Sequence, residues 1–171
     1  MLDIGKVGIK DAILKKPDRL SAKEQATMQL YPQIGFNILE RLRQDIDIHD
    51  TLVFGMAKDL ALSHYENRDG SGYTQGLSGE SIPLVARIMA ILDVYDGLAS
   101  RRCHQEALPH AQVVDTVVTL AGTTGDPSLV EGFLKVSEQF RQIFEATPDD
   151  KRSGPQGQRE LVPPIPEGHR I

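Results

Sequence analysis

The stretch Pro83-Leu84-Val85-Ala86-Arg87-Ile88-Met89-Ala90-Ile91-Leu92-Asp93-Val94-Tyr95-Asp96-Gly97-Leu98-Ala99-Ser100 decides the fold. Its apolar residues Val85, Ile88, Met89, Ile91, Leu92 and Tyr95 recur at helical spacing and cover more than one face. That pattern predicts a central, largely buried helix from Leu84 to about Ser100, opened by Pro83. Helix signals continue in both directions, and no alternating run bounded by turn pairs marks a strand. Upstream, Ser21 and Glu24 form an S-x-x-E capping box for a helix from Ala22 to Leu30. From Pro32, the residues Ile34, Ile38, Leu39 and Leu42 predict a second helix with one apolar stripe. Thr51 opens a third, with Leu52, Met56, Leu60 and Leu62 along one face and His64 at its C-terminal end. Between Asn67 and Ile82, Gly70, Gly72, Gly76 and Gly79 exclude a helix interior and predict a loop. Downstream, Pro109 to Leu120 and Asp126-Pro127 to Phe144 predict two further helices, with Gly122 and Gly125 between them.

The chain has 171 residues, 40% of them hydrophobic and 25% charged, which suits one globular domain with a real core. Aromatics are 5% and Trp is absent, so aliphatic side chains build most of that core. A formal charge of -5 argues against a nucleic-acid partner, which needs a basic face. It leaves room for a small anionic ligand at a locally basic site. The single cysteine, Cys103, excludes an intrachain disulfide framework and suits a reducing cytoplasm. No run approaches the ~20 apolar residues of a membrane span, and Met1-Leu2-Asp3 does not read as a signal peptide. Five of the ten prolines (Pro148, Pro155, Pro163, Pro164 and Pro166) fall after Thr147, with few large apolar groups beside them. Such a segment buries too little surface to offset its ordering entropy. The expectation is a single all-α domain over 1–146 and a disordered Pro/Gly-rich tail over 147–171, in a cytoplasmic protein.

Three features carry chemistry. The first is His64-Tyr65-Glu66-Asn67-Arg68-Asp69-Gly70-Ser71-Gly72-Tyr73, where glycines permit positive-φ turns and close backbone approach to a ligand. Taken alone, it reads first as a surface loop following a helix-terminal histidine. The second is Asp93 with Asp96 one turn later, acids on a buried helix that ion pairing with Arg101 and Arg102 or metal ligation would equally explain. The third is Asp3-Ile4-Gly5-Lys6, by default a solvated, frayed terminus.

In order, D-I-G-K-V-G-I, K-P-D-R-L-S-A-K-E, Y-P-Q-I-G, H-Y-E-N-R-D-G-S-G-Y, A-R-I-M-A-I-L-D-V-Y-D and R-R resemble the HD-GYP domain, from Leu2 to about Phe144. The resemblance implies a helical bundle around a two- or three-metal centre of iron or manganese. It also implies hydrolysis of cyclic di-GMP to pGpG or GMP, in which a metal-held hydroxide attacks phosphorus. By the same resemblance Asp3, His64 and Asp93 match metal ligands, and Lys6 matches the lysine that contacts the scissile phosphate. Asp96 and Arg102 match substrate-pocket residues, and Gly72 and Tyr73 the first letters of the G-Y-P motif.

The departures fall on the ligands. Leu2 stands in place of the histidine of the His-Asp pair, Tyr31 in place of a ligand histidine, and Tyr65 in place of the second histidine of a pair. Thr74 replaces the motif proline and Gln105 a phosphate-holding basic residue. A helix that precedes Asp3 in many members is expected to be missing here. The apolar residues Ile4, Val7 and Ile9 are therefore expected to need other cover, such as a second copy or another protein. Losing one ligand commonly costs ~10–100-fold in affinity or activity, so three losses argue against a metal pair unless Tyr31 and Tyr65 ligate as tyrosinates. The resulting expectation is a degenerate domain that binds a nucleotide or a signalling partner such as a diguanylate cyclase. The alternative is a phosphodiesterase with a reduced metal site. Among the other histidines, His49, His110 and His169 read as solvent-exposed, and His104 stands where the family has a pocket-proximal tyrosine.

Overall fold

A computed structural model describes residues 2–45, 51–100 and 106–146. A 3-10 turn over Ile4–Gly8 leads into α1 (Asp11–Leu14), α2 (Ala22–Met28), α3 (Tyr31–Asp45), α4 (Thr51–Ser63), α5 (Leu84–Ala99), α6 (His110–Thr119) and α7 (Pro127–Ala146). Among the described residues no strand forms beyond one isolated bridge between Ala121 and Gly125. The all-α class follows as expected. His49, Arg101, Arg102, Cys103, His104, Gln105, His169 and the expected tail over 147–171 lie outside the described residues.

Local chemistry sets the helix starts. The Ser21 hydroxyl accepts from the Glu24 amide, and the Glu24 carboxylate accepts from the Ser21 amide at 2.8 Å, completing the capping box of α2. Lys16 Nζ donates to the same carboxylate at 2.7 Å and ties the end of the preceding segment to it. At α7, Asp126 Oδ1 accepts from the Ser128 amide at 3.0 Å, as an N-cap should.

The main core lies where α5 meets α6 and α7. Ile91, Val94, Tyr95 and Leu98 pack against Val113, Val117, Val130 and Phe133. Leu84 and Ile88 stay exposed, so α5 buries one broad face rather than its whole girth. Tyr95 receives the rings of Phe133, Phe140 and Phe144 at centroid distances of 5.5–5.8 Å. Its hydroxyl lies 3.0 Å from His110 Nδ1, so His110 is half-buried and bonded rather than solvent-exposed.

Two apolar stripes differ from expectation. On α4, Leu52 is 72% and Met56 46% exposed, and the buried face is Ala57 and Ala61, packed with Leu39 and Phe54. Small side chains let α3 and α4 approach closely, and alanines carry a weaker hydropathy signal than leucines. On α3 the helix begins at Tyr31, its buried residues are Tyr31, Pro32, Gly35 and Leu39, and Leu42 is exposed.

The N-terminus is not frayed from Leu2 onward. The 3-10 turn lies across the start of α3 where Gly5 meets Gly35. A Cβ on Gly5 would stand 1.8 Å from the Tyr31 carbonyl oxygen and 2.5 Å from the Gly35 amide. Ile9 is buried with Met28 and Tyr31, while Val7 remains exposed. Most of the apolar cover expected from a partner therefore comes from α2 and α3.

Candidate active site

The glycine crossing brings Asp3 and Lys6 to the end of α4. Lys6 Nζ lies 3.2 Å from Asp3 Oδ1 and 5.1 Å above the centroid of the Tyr31 ring. The Lys6 side chain is 15% exposed and that of Asp3 46%, so the carboxylate is the more solvated partner. Tyr31, fully buried, directs its hydroxyl to His64 Nε2 at 3.0 Å. His64 Nδ1 lies 2.8 Å from the Leu60 carbonyl oxygen, one turn back on α4. A carbonyl only accepts, so Nδ1 donates, and Nε2 of the neutral ring accepts from the Tyr31 hydroxyl.

His64 is thus buried and bonded at both ring nitrogens, not a helix-end histidine facing solvent. Burial pushes its pKa below the usual imidazole range, against the opposing pull of the Leu60 carbonyl and the Asp3 charge. Burial also drives the Tyr31 phenol far above its ordinary value, with Tyr65 and the Asp3 charge adding to the rise. With no ion on its oxygen, the Tyr31 phenol therefore keeps its proton. Tyr65 meets Tyr31 edge-on at 5.9 Å, lies 4.4 Å from the His64 ring centroid, and stacks on Tyr73 at 4.9 Å with 9° between planes.

Glu66 was not singled out in the sequence, yet it organises the loop. Its carboxylate is 2% exposed and accepts from the amides of Thr74 (2.8 Å), Gln75 (2.6 Å) and Leu77 (3.0 Å). A readable signal exists: an acid at the head of a glycine-rich segment whose amides have no helix or strand to join. Gly70 takes φ +83°, as expected of a turn glycine. Gly72 serves a different end, because a Cβ there would stand 2.3 Å from the Tyr65 carbonyl oxygen and 2.4 Å from the Asn67 amide. It lets the loop fold back onto its own start, where the Tyr73 amide donates to the Tyr65 carbonyl at 3.1 Å.

The far side of the loop is clasped by Asp126. Its Oδ2 accepts from Arg68 Nη1 and Arg87 Nη1, each at 2.8 Å. The Arg68 and Asp69 amides also donate to the Thr124 and Thr123 carbonyls. The sequence showed Asp126 as a helix cap only.

Of the residues matched to the family's site, Asp3, Lys6, His64 and Tyr73 share this neighbourhood, with Gly72 shaping it. Asp93 and Asp96 are half-buried on α5, and Arg102 lies outside the described residues. The donor set does not fit a metal pair. Among the described residues no three His, Cys, Asp or Glu side chains cluster in a way that would hold an ion. Nε2 of His64 is engaged by a phenol, and Asp3 by an ammonium.

A family profile described as an HD domain matches residues 1–129. Among curated proteins, a cyclic di-GMP phosphodiesterase of Vibrio cholerae is 41% identical over 141 residues, covering 82% of this chain and 28% of that protein. A cyclic di-GMP phosphodiesterase of Thermotoga maritima is 34% identical over 151 residues, covering 88% of this chain and 39% of that protein. The chain belongs to the HD-GYP family of HD domains. A further Vibrio cholerae relative, named 3'3'-cGAMP-specific phosphodiesterase 2, is 37% identical over 147 residues, covering 86% of this chain and 27% of that protein. This HD-GYP chain therefore spans well under half the length of each of these relatives. No helix among its described residues is long and apolar enough to cross a membrane. Metal dependence is general in the family.

Proposed function

We propose that this domain binds a cyclic dinucleotide of the cyclic di-GMP class and hydrolyses it weakly or not at all. The observation that carries the reading is the Tyr31 hydroxyl on His64 Nε2, which occupies a ligand position with a protein donor. Lys6 supplies the cation for a phosphate, held close to the site by Asp3 and the Tyr31 ring. Tyr73, stacked on Tyr65, and Asp96 and Arg102 complete the nucleotide-facing set by family position. A signalling protein such as a diguanylate cyclase is the class of partner such a module serves.

The names of the relatives favour a second reading more directly, that of a metal-dependent phosphodiesterase retaining Asp3, His64 and Asp93. One experiment separates the two. Protein prepared anaerobically with iron or manganese is titrated with cyclic di-GMP, and turnover to pGpG is followed. The expected result is binding without turnover, weakened about tenfold or more by Lys6→Ala, since a hydrogen bond to a charged group contributes ~1.5–3 kcal/mol. Turnover abolished by Asp93→Ala establishes the phosphodiesterase instead. Neither binding nor turnover sinks both readings.

A further inference from the structure

We propose that the Tyr31 hydroxyl stands in for a metal ion at His64, taking the Nε2 lone pair an ion would use and tying the start of α3 to the end of α4. The inference deepens the non-hydrolytic reading and rests on it, but it concerns this chain's own residues rather than the nucleotide.

Four observations converge. The imidazole is oriented as for an Nε2 ligand, because the Leu60 carbonyl takes the Nδ1 proton at 2.8 Å and leaves Nε2 facing inward. What it faces is the Tyr31 hydroxyl at 3.0 Å, in a fully buried side chain. The surrounding space holds rings: Tyr31 and Tyr65 lie with centroids 5.7 Å and 4.4 Å from that of His64. Lys6 Nζ lies 5.1 Å from the Tyr31 ring centroid, so a fixed positive charge already stands beside that ring. A hydrogen bond between residues 33 positions apart thus joins α3 to α4 without an ion.

The test uses ring-nitrogen NMR of 15N-histidine-labelled protein, with Zn2+ as a diamagnetic probe and the His64 signals assigned through His64→Gln. The wild-type chain is expected to show the Nδ1–H tautomer, with His64 Nε2 unmoved by excess Zn2+. In Tyr31→Phe, which removes only the hydroxyl, the same excess is expected to shift Nε2, because the freed imidazole is a single ligand and not a built ion site. A purely structural tyrosine would move stability without moving that resonance. A proton on Nε2 in the wild type, a Zn2+-induced shift of the wild-type Nε2, or a Tyr31→Phe ring that ignores Zn2+ each overturns the inference. If Tyr31→Phe does not fold, the tautomer and zinc response of the wild-type chain decide alone. No nucleotide enters the experiment, so a failure here is distinct from failure to bind cyclic di-GMP.

Discussion

Gly5→Ala is expected to destabilise the domain by about 3 kcal/mol or more and to abolish nucleotide binding. Overpacking a core typically costs ~1–3 kcal/mol because side chains yield. Here the obstacles are backbone atoms, the Tyr31 carbonyl oxygen at 1.8 Å and the Gly35 amide at 2.5 Å. Neither can move without disturbing the first turn of α3. The cheapest relief is for the 3-10 turn to lift away, and that carries Asp3 and Lys6 off the site. Urea denaturation measures the stability loss, and titration with cyclic di-GMP measures the binding loss. A variant with wild-type stability and affinity would show that the crossing is looser than the geometry requires. Gly8 gives a contrasting case, since a Cβ there meets only the flexible end of Ile34 at 2.9 Å. Its replacement should cost much less.

The second large effect is expected from Asp126→Ala. A single carboxylate, 4% exposed, serves Arg68, Arg87 and the first turn of α7. Breaking a buried pair by removing one partner costs ~3–5 kcal/mol, because the remaining charge is left uncompensated. For a domain of this size that corresponds to a fall in Tm on the order of 10 °C. The Asn67–Ile82 loop should become the most exchange-labile part of the molecule, because Arg68 anchors it. Hydrogen exchange localises the change, and uniform protection across the loop would refute the clasp. Acid acts on the same group. Burial alone would raise the Asp126 pKa, but hydrogen bonds from Ser128 and Arg87 and the Arg68 charge outweigh it and hold the carboxyl at about 2, against an ordinary 3.8. A depressed carboxyl contributes its full stability above the unfolded value and loses it as pH falls through the folded one. Wild-type stability should therefore drop between about pH 4 and pH 2, with a shallower fall in Asp126→Ala.

Much of the site was legible as residue identity and little of it as geometry. Asp3, Lys6, His64 and Tyr73 stand out by motif, and the structure gathers them. The loop histidine does not face solvent, because Tyr31 and Leu60 satisfy both its nitrogens. Gly72 carries close backbone packing rather than a special φ. Gly35, a lone glycine inside a helical pattern, is the one local sign of the close approach to Gly5. The buried face of α4 is hidden for a similar reason. Hydropathy favours Leu52 and Met56, while the tight crossing with α3 selects Ala57 and Ala61.

Local sequence is enough for the all-α class, the loop before α5, the capping box at Ser21 and Glu24, and the family. Each of these rests on residues within a few positions of one another or on a linear order of motifs. Helix packing is what makes Tyr31 bond His64, Gly5 cross Gly35, and Asp126 join Arg68 and Arg87. The bonded pairs lie 33, 58 and 39 positions apart. Helical periodicity and capping act over one or two turns, so they are blind to partners at such separations. Those partners meet only when several helices have packed.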